Sequence, residues 1–300
     1  MNRAKIFTIT ITNTTTKQNF INSLNTMSEV LYAETNGGLT TNIIPIDGRF
    51  NQQWGMRNTT VPGADIHLDG ATNIFTGNPN SIIAIIDNGV DRLHNDLDAK
   101  ILGGDNGFVI DVDGLGRQFN HGSHVAGIAA AISNNAGNNG VSGVDWQARI
   151  HPKKIFDGTG DPERTQSIID AVLFNANVWT FNNSWGTRNQ DGTPGRYSVT
   201  IRSAFAQAYR NNRVSCIAMG NHQLTNPNVV SFPAGINSGV LAVGATDITD
   251  NIAGFSAQGP HIDVSAPGVG IWSTNFNNGY IDLSGTSMAT PHVVGLASLL

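Results

Sequence analysis

The chain has one cysteine, Cys216, among its 300 residues, and charged residues make up only 13% of it. A single cysteine excludes an internal disulfide. The mild net charge of −5 and the lack of long like-charge runs argue against a nucleic-acid partner. No apolar stretch is long enough to span a bilayer, so no membrane partner is expected. The 34 glycines and the 39% hydrophobic residues predict a loop-rich globular protein with a real core.

Several segments have the continuous apolar character of central parallel strands, which are buried on both faces. These are residues 81–87, 148–156, 178–184, 214–220 and 240–244. Helical periodicity lies between them, at residues 125–132, 165–175 and 199–211. Alternating strands and helices predict an α/β fold with a doubly wound parallel sheet. Ligands of such sheets bind beyond the carboxyl ends of the strands, where Asp87, Ser184 and Asn221 fall.

Ser287 lies between a glycine-containing loop and an apolar run. The pattern predicts a helix with Ser287 in its first turn, where Pro291 is tolerated because first-turn amides lack helical partners. A hydroxyl there lies at the positive end of the helix dipole, beside free N–H groups, which suits a serine that becomes bonded to an oxyanion. Taken alone, Ser287 is better explained as a helix cap.

Asp87 ends the first core strand, and His121 opens a helix. Nucleophilic catalysis by serine needs a neutral imidazole to take the proton and a buried carboxylate to hold the imidazole tautomer. Simpler interpretations exist for each residue: a turn for Asp87, and a cap or surface position for His121. His121 and His124 could also be metal ligands, but a zinc site needs further ligands.

Three motifs in this order resemble those of the subtilases, the subtilisin-like serine proteases. They are residues 85–91, 121–127 and 285–292, and the segments 255–259 and 263–268 are also similar. The resemblance covers roughly residues 47–300 and implies a serine endopeptidase acting on polypeptides. It makes Asp87 the orienting acid, His121 the general base and acid, and Ser287 the nucleophile, while His124 is structural.

The resemblance also implies substrate-binding residues. Asn221 is expected to donate its side-chain amide to the oxyanion, with the backbone N–H of Ser287 as the second donor. The residues expected around the S1 pocket and the substrate backbone are Ser184, Trp185, Gly186, Ala218, Gly220 and Ser231. Substrate is expected to bind by strand addition, with a second edge at residues 158–162 that carries Pro162 where the family often has small residues.

A structural calcium ion is a further expectation from the resemblance. Residues 134–141 are rich in Asn and Gly and follow the histidine helix, as a family calcium loop does. Amide, backbone and carboxylate oxygens suit this hard cation. The expected ligands are Asp96, Asn135, Asn139 and Val141. By composition alone, the segment is also a plausible solvated loop.

Residues 1–46 are expected to be a partial inhibitory propeptide and linker, and residues 47–300 the peptidase domain. Strand periodicity at residues 5–12, helical spacing at 20–27 and an apolar run at 30–33 predict a β-α-β piece. This piece resembles part of a subtilase propeptide, so the chain's own propeptide is an expected partner.

Both ends of the sequence predict a piece of a longer secreted precursor. Residues 6–12 alternate, unlike the continuous apolar core of a signal peptide. The final apolar helix stops at Leu300 with no capping signal. An alternative function follows from these two features, namely a protease-like fold that is inactive or inhibited and serves as a binding module.

Overall fold

The computed structural model describes residues 14–30, 33, 43–135, 139–156, 165–173, 177–186, 198–223 and 231–300. The chain divides into two compact units, residues 1–41 and 42–300. In the first unit, helix α1 (Thr14–Leu24) confirms the helix predicted there. Val30 and Ala33 are not in a strand, and the other residues of the two predicted strands lie outside the described ranges.

The second unit is an α/β structure. Its described strands are β1 (Ile82–Asp87), β2 (Asp111–Val112), β3 (Gln118–Phe119), β4 (Arg149–Lys154), β5 (Thr180–Asn183), β6 (Val214–Ala218), β7 (Leu241–Thr246), β8 (Val264–Pro267), β9 (Ile271–Thr274) and β10 (Tyr280–Leu283). Its described α-helices are α2 (Leu68–Thr72), α3 (His121–Ala130), α4 (Thr165–Leu173), α5 (Val199–Arg210) and α6 (Thr286–Leu299). Within the described ranges, no helix is long and apolar enough to cross a membrane.

A parallel sheet with the strand order β4-β1-β5-β6-β7-β8 forms the centre of this unit. Antiparallel pairs join β2 to β3 and β9 to β10. The five predicted core strands are confirmed as β1, β4, β5, β6 and β7. The edge strand β8 was not predicted, because Val264 is 38% exposed and the segment lacks a continuous apolar pattern.

Strand β1 shows why the sheet is covered on both faces. All six of its residues are buried, and successive side chains point to opposite faces. Ile83 and Ile85 belong to the core cluster that includes α3 and α6, whereas Ile82 and Ile86 belong to the cluster that includes α4 and α5. The doubly wound sheet predicted from the sequence is therefore confirmed.

The sheet order places β1 at a switch point. The chain continues from β1 to β4 on one side, while β5 pairs with β1 on the other. Asp87 is the last residue of β1, so its side chain stands where ligands bind in open α/β sheets. The C-terminal end of α6 contacts the amino end of β1, since Ser298 Oγ lies 2.7 Å from Oγ of Ser81, the residue before that strand.

Candidate active site

Asp87 and His121 meet at the carboxyl end of β1. His121 Nδ1 lies 2.8 Å from Asp87 Oδ1. Asp87 is only 2% exposed, while 22% of the His121 side chain is exposed. The backbone N–H of Asn88 donates to the same Asp87 oxygen at 2.8 Å. A buried carboxylate bonded to Nδ1 fixes the imidazole and leaves Nε2 as the nitrogen that can take a proton.

The charges around His121 favour its protonated form. Burial lowers the pKa of His121, but the charge and hydrogen bond of Asp87, together with the charge of Asp111, raise that pKa above its ordinary value. His124, one helical turn along, behaves in the opposite way, because burial lowers its pKa to about 3. Its Nε2 lies 3.0 Å from the carbonyl oxygen of Ile281, so the ring bonds to backbone inside the core.

The start of α3 is held rigidly to the end of β1. The N-cap residue Asn120 accepts a hydrogen bond from the backbone N–H of Ser123 at 2.8 Å. Gly122 N–H donates to Asn88 Oδ1 at 2.8 Å. A Cβ at Gly122 would lie 2.1 Å from the carbonyl oxygen of Gly89, so only glycine allows this approach.

Ser287 is the second residue of α6, as the sequence predicts. Its hydroxyl donates to the carbonyl oxygen of Ser184 at 3.0 Å. In return, Ser184 Oγ donates to the carbonyl oxygen of Ser287 at 2.8 Å. Among the described residues, the Ser287 hydroxyl is therefore bonded to the end of β5 and not to His121.

Pro291 lies one turn later than expected from the sequence. It is the sixth residue of α6 and not part of the first turn. Because proline has no N–H, the carbonyl oxygen of Ser287, four residues earlier, lacks its usual helical donor. The Ser184 hydroxyl supplies the missing bond. Pro291 thus makes room for a contact that ties Ser184 to Ser287.

Asn221 lies beside the start of α6, and Thr286 sets its orientation. Asn221 Oδ1 accepts from the backbone N–H of Thr286 at 2.9 Å and from its hydroxyl at 3.0 Å. The Thr286 hydroxyl in turn accepts from the N–H of Gly220 at 3.0 Å. Sequence reasoning missed Thr286. The only signal for it was its position between Gly285 and Ser287, whose N–H is the second expected oxyanion donor.

The side-chain amide nitrogen of Asn221 and the backbone nitrogen of Ser287 lie close together at this helix start. A Cβ at Gly285 would lie 3.0 Å from Asn221 Nδ2 and 3.6 Å from Ser287 N. Within the described residues, no hydrogen bond occupies either donor. Donors of this kind stabilise an oxygen that gains negative charge in a reaction.

Comparison with known proteins decides the family. The profile of the subtilase family matches residues 78–300. The chain is 36% identical to a thermophilic serine proteinase of Bacillus sp. strain AK1, over 93% of this chain and 65% of that protein. It is 37% identical to thermitase of Thermoactinomyces vulgaris, over 73% of this chain and 74% of the relative.

This chain belongs to the subtilase family. A protease structure from Pseudoalteromonas arctica agrees, with a TM-score of 0.69 and 28% identity over 85% of this chain and 86% of that one. The family and the enzyme class expected from the sequence, subtilisin-like serine endopeptidases, are confirmed. The alternative of an inactive binding module gains no support from these relatives.

The other residues expected to bind substrate contact one another in part. Gly220 has a φ of +98°, and a Cβ there would lie 2.4 Å from Ser231 Oγ. A Cβ at Gly186 would lie 3.4 Å from the carbonyl oxygen of Phe232, the residue after Ser231. Ala218 and Trp185 are 4% and 6% exposed. The side chain of Trp185 packs in a core cluster of this subtilase. Residues 158–162 lie outside the described ranges.

Asp96, the expected calcium ligand, is 1% exposed and surrounded by donors. Its carboxylate accepts from the N–H of Val141 at 2.9 Å, from the Tyr280 hydroxyl at 2.9 Å and from the Asn135 amide. Asn139 is exposed. No group of three or more His, Cys, Asp or Glu able to hold a metal occurs among the described residues.

Asp47 is a second buried carboxylate in this region, and sequence reasoning gave it no role beyond the first position of the peptidase domain. It is 4% exposed, and its Oδ1 has no hydrogen-bond partner among the described residues. The buried Asn135 Oδ1 is also without a partner there. Burial raises the pKa of Asp47, and the charge of Asp96 adds to the increase. Orphaned oxygens next to a second carboxylate fit a hard cation.

Proposed function

We propose that this chain hydrolyses peptide bonds with Ser287 as nucleophile, His121 as general base and acid, and Asp87 as the residue that orients His121. The observation that supports this most is the 2.8 Å contact between His121 Nδ1 and buried Asp87. The proposed reaction requires the Ser287 hydroxyl to turn from the Ser184 carbonyl oxygen, to which it donates in the resting structure, toward His121 Nε2.

In the first half-reaction, Ser287 Oγ attacks the scissile carbonyl carbon while His121 Nε2 takes the hydroxyl proton. His121 then gives this proton to the leaving amine, and an acyl-enzyme remains. A water molecule attacks the acyl group with the same proton path and regenerates Ser287. Asp87 stays ionised throughout and stabilises the imidazolium.

The oxyanion of each tetrahedral intermediate is proposed to bind between Asn221 Nδ2 and the backbone N–H of Ser287. Supporting this is the fit of both donors around one point at the start of α6. Thr286 keeps the Asn221 carbonyl oxygen occupied, so the amide presents its N–H side. Substrate backbone is proposed to pair with residues 184–186, with the P1 side chain beside Gly220 and Ser231.

The test is covalent labelling with a phosphonylating reagent, followed by peptide mapping and a casein hydrolysis assay. Label is expected on Ser287 alone, and Ser287→Ala is expected to lose both label and hydrolysis. Ser298→Ala is the matched control, because Ser298 lies on the same helix but bonds to Asp145 at 2.7 Å. A folded active protein without label on Ser287 would contradict the proposal.

A structural Ca²⁺ is proposed near Asp96, with Asp47, Asn135, Asn139 and Val141 as further oxygen donors. The orphaned oxygens of Asp47 and Asn135 support this proposal. Added Ca²⁺ is expected to raise the melting temperature of the wild type, and Asp47→Asn is expected to abolish the increase. Asp113→Asn is the control, since Asp113 pairs with Arg117 elsewhere. An equal increase in Asp47→Asn rules out this ligand.

Residues 1–46 are proposed to be a propeptide-like segment removed by the enzyme itself, and the mature enzyme is proposed to be secreted. The family membership supports both proposals. Mass spectrometry is expected to find a cut within residues 36–50 in the wild type, and an intact chain in Ser287→Ala purified from a protease-deficient host. Cutting of Ser287→Ala in that host would show that another protease removes the segment.

A further inference from the structure

A second carboxylate lies next to the Asp87–His121 pair. Asp111 is on strand β2, directly opposite Phe119 of β3, and the chain enters α3 two residues after Phe119. Asp111 Oδ2 accepts a hydrogen bond from Asn88 Nδ2 at 2.6 Å. Asn88 follows Asp87 in the chain, and its backbone N–H donates to Asp87 Oδ1. Asn88 therefore bonds to both carboxylates.

Asn88 links this second carboxylate to the start of α3. Its Oδ1 accepts from Gly122 N–H at 2.8 Å and from Asn120 Nδ2 at 2.9 Å. Asn120 Nδ2 also donates to the carbonyl oxygen of Val109 at 2.8 Å. The segment that carries Asp111 and the helix that carries His121 are therefore fixed to each other by side-chain amides.

Asp111 and His121 also interact through charge. Burial raises the pKa of Asp111, while the charge of His121, its backbone N–H and the Asn88 amide lower that pKa. The titratable groups that face His121 in the described structure are Asp87 from β1, Asp111 from β2 and His124 from α3 itself. His124 is buried and neutral, so Asp111 is the second negative charge acting on the imidazole.

The cation nearest in sequence to this pair is occupied elsewhere. Arg117 Nε lies 2.7 Å from Asp113, and Arg117 Nη1 lies 3.0 Å from Asp282. Asp111 is bonded by the neutral Asn88 amide. Its charge is thus left to act on the imidazole of His121.

We propose that Asp111 is a positioning residue of the active site, which stabilises the His121 imidazolium by its charge and holds the start of α3 through Asn88. This inference depends on the proposed role of His121 as general base. The imidazolium forms when His121 takes the Ser287 proton, so a second nearby carboxylate lowers the energy of that state.

Asp111→Asn tests the charge with the shape retained. Without the negative charge, the pKa of His121 falls, so the neutral base persists at lower pH. The acid limb of the kcat/KM profile is therefore expected to move to lower pH by roughly 0.3–1 unit. At the alkaline plateau, kcat is expected to fall about twofold to tenfold, with KM nearly unchanged. Asp113→Asn, in the same hairpin, is expected to leave the profile unchanged.

A second measurement and a second variant check the result independently. NMR titration of the His121 imidazole protons should show the same shift in Asp111→Asn, and Asp111→Ser should shift the acid limb in the same direction if the amide variant folds poorly. An active wild type whose profile superimposes on those of both Asp111 variants overturns this inference alone. A wild type with no Ser287 labelling overturns the proposed function instead.

Discussion

Helices α3 and α6 both begin at the carboxyl edge of the sheet, yet the N–H groups of their first turns are bonded differently: at α6, Asn221 Oδ1 accepts from the N–H of Thr286, the first residue. At α3, the side chains of Asn120 and Asn88 accept from the N–H groups of Ser123 and Gly122. At α6, the N-cap is Gly285, which has no side chain to cap the helix. Within the described residues, the N–H of Ser287 is left without an acceptor.

The difference matches the role proposed for each helix start. A general base must keep one orientation, and protein groups accept from the N–H groups of Gly122 and Ser123 beside His121. An oxyanion appears only during the reaction, so an N–H intended for it must have no competing acceptor in the resting protein. We call the start of α3 closed, because side chains accept from its N–H groups, and the start of α6 open, because the N–H of Ser287 has no acceptor among the described residues.

Among the changes that compare the two helix starts without removing Ser287, the largest effect is expected from removing the side-chain donor at the open start. Asn221→Ala is expected to lower kcat about 10²–10³-fold, the usual size for loss of one oxyanion donor, with KM little changed. Steady-state kinetics on a peptide anilide measures this. A loss confined to KM would mean that Asn221 binds ground-state substrate and that the open start has another use.

A second prediction concerns the buried histidine on each helix, His124 on α3 and His292 on α6. Burial lowers their pKa values to about 3 and about 4, from the ordinary value of 6.5. Below pH 6.5 the unfolded chain takes up protons that the folded chain excludes. Stability is therefore complete above that pH and falls as the pH decreases, by about 1.4 kcal/mol per pH unit for each histidine.

Urea unfolding between pH 7 and pH 5 measures this slope. His124→Gln and His292→Gln are each expected to reduce the slope of unfolding free energy against pH by about 1.4 kcal/mol per pH unit. Equal slopes in the wild type and both variants would mean that other groups cause the acid sensitivity.

Gly285→Ala tests whether the open start depends on glycine. The new methyl group would lie 3.0 Å from Asn221 Nδ2, so the amide must move by a few tenths of an ångström. We expect kcat to fall about tenfold, because small misplacements of a catalytic group are costly. Gly63→Ala is a comparison variant with nothing within 4 Å of the new group, although its φ of +95° adds backbone strain. An unchanged kcat in Gly285→Ala contradicts the expectation.

The smallest effect is expected at the closed helix start. Asn120→Ala removes the N-cap acceptor, which is expected to lower the free energy of unfolding by about 1 kcal/mol. Because Asn120 also bonds to Asn88, a further small loss of kcat is expected. Chemical denaturation and kinetics on the same sample separate the two effects. A larger loss of kcat than in Asn221→Ala would reverse the comparison between the two helix starts.

The parallel sheet was predictable because its strands are buried on both faces and read as continuous apolar runs. The positions of Asp87 at the end of a strand and of His121 at the start of a helix followed from the same pattern, whereas their pairing was expected from the resemblance to the subtilases. Strand β8 was not, because an edge strand carries no such signal. Thr286 and Asn88 were missed because their roles depend on which side-chain oxygen faces which amide, and neighbours in sequence do not specify that.

Pro291 shows a different limit of sequence reasoning. Its presence in a helix was recognised, but its turn was misplaced, because helix boundaries are uncertain by one or two residues. The error hid the reason for the Ser184–Ser287 contact, in which the Ser184 hydroxyl replaces the N–H donor that Pro291 lacks four residues after Ser287. Asp47 was overlooked because a lone aspartate before glycine is typical of a turn; only burial distinguishes it.

The contact between Ser81 and Ser298 spans 217 positions of the sequence, and the proposed reaction likewise needs residues 87 and 287 in one place. Folds dominated by such distant pairings form slowly, because long loops must close before native contacts can stabilise them. A chain still being synthesised has β1 long before it has α6. Proteolytic capacity is therefore expected to arise only after the whole domain has been made and folded, which protects the machinery that produces it.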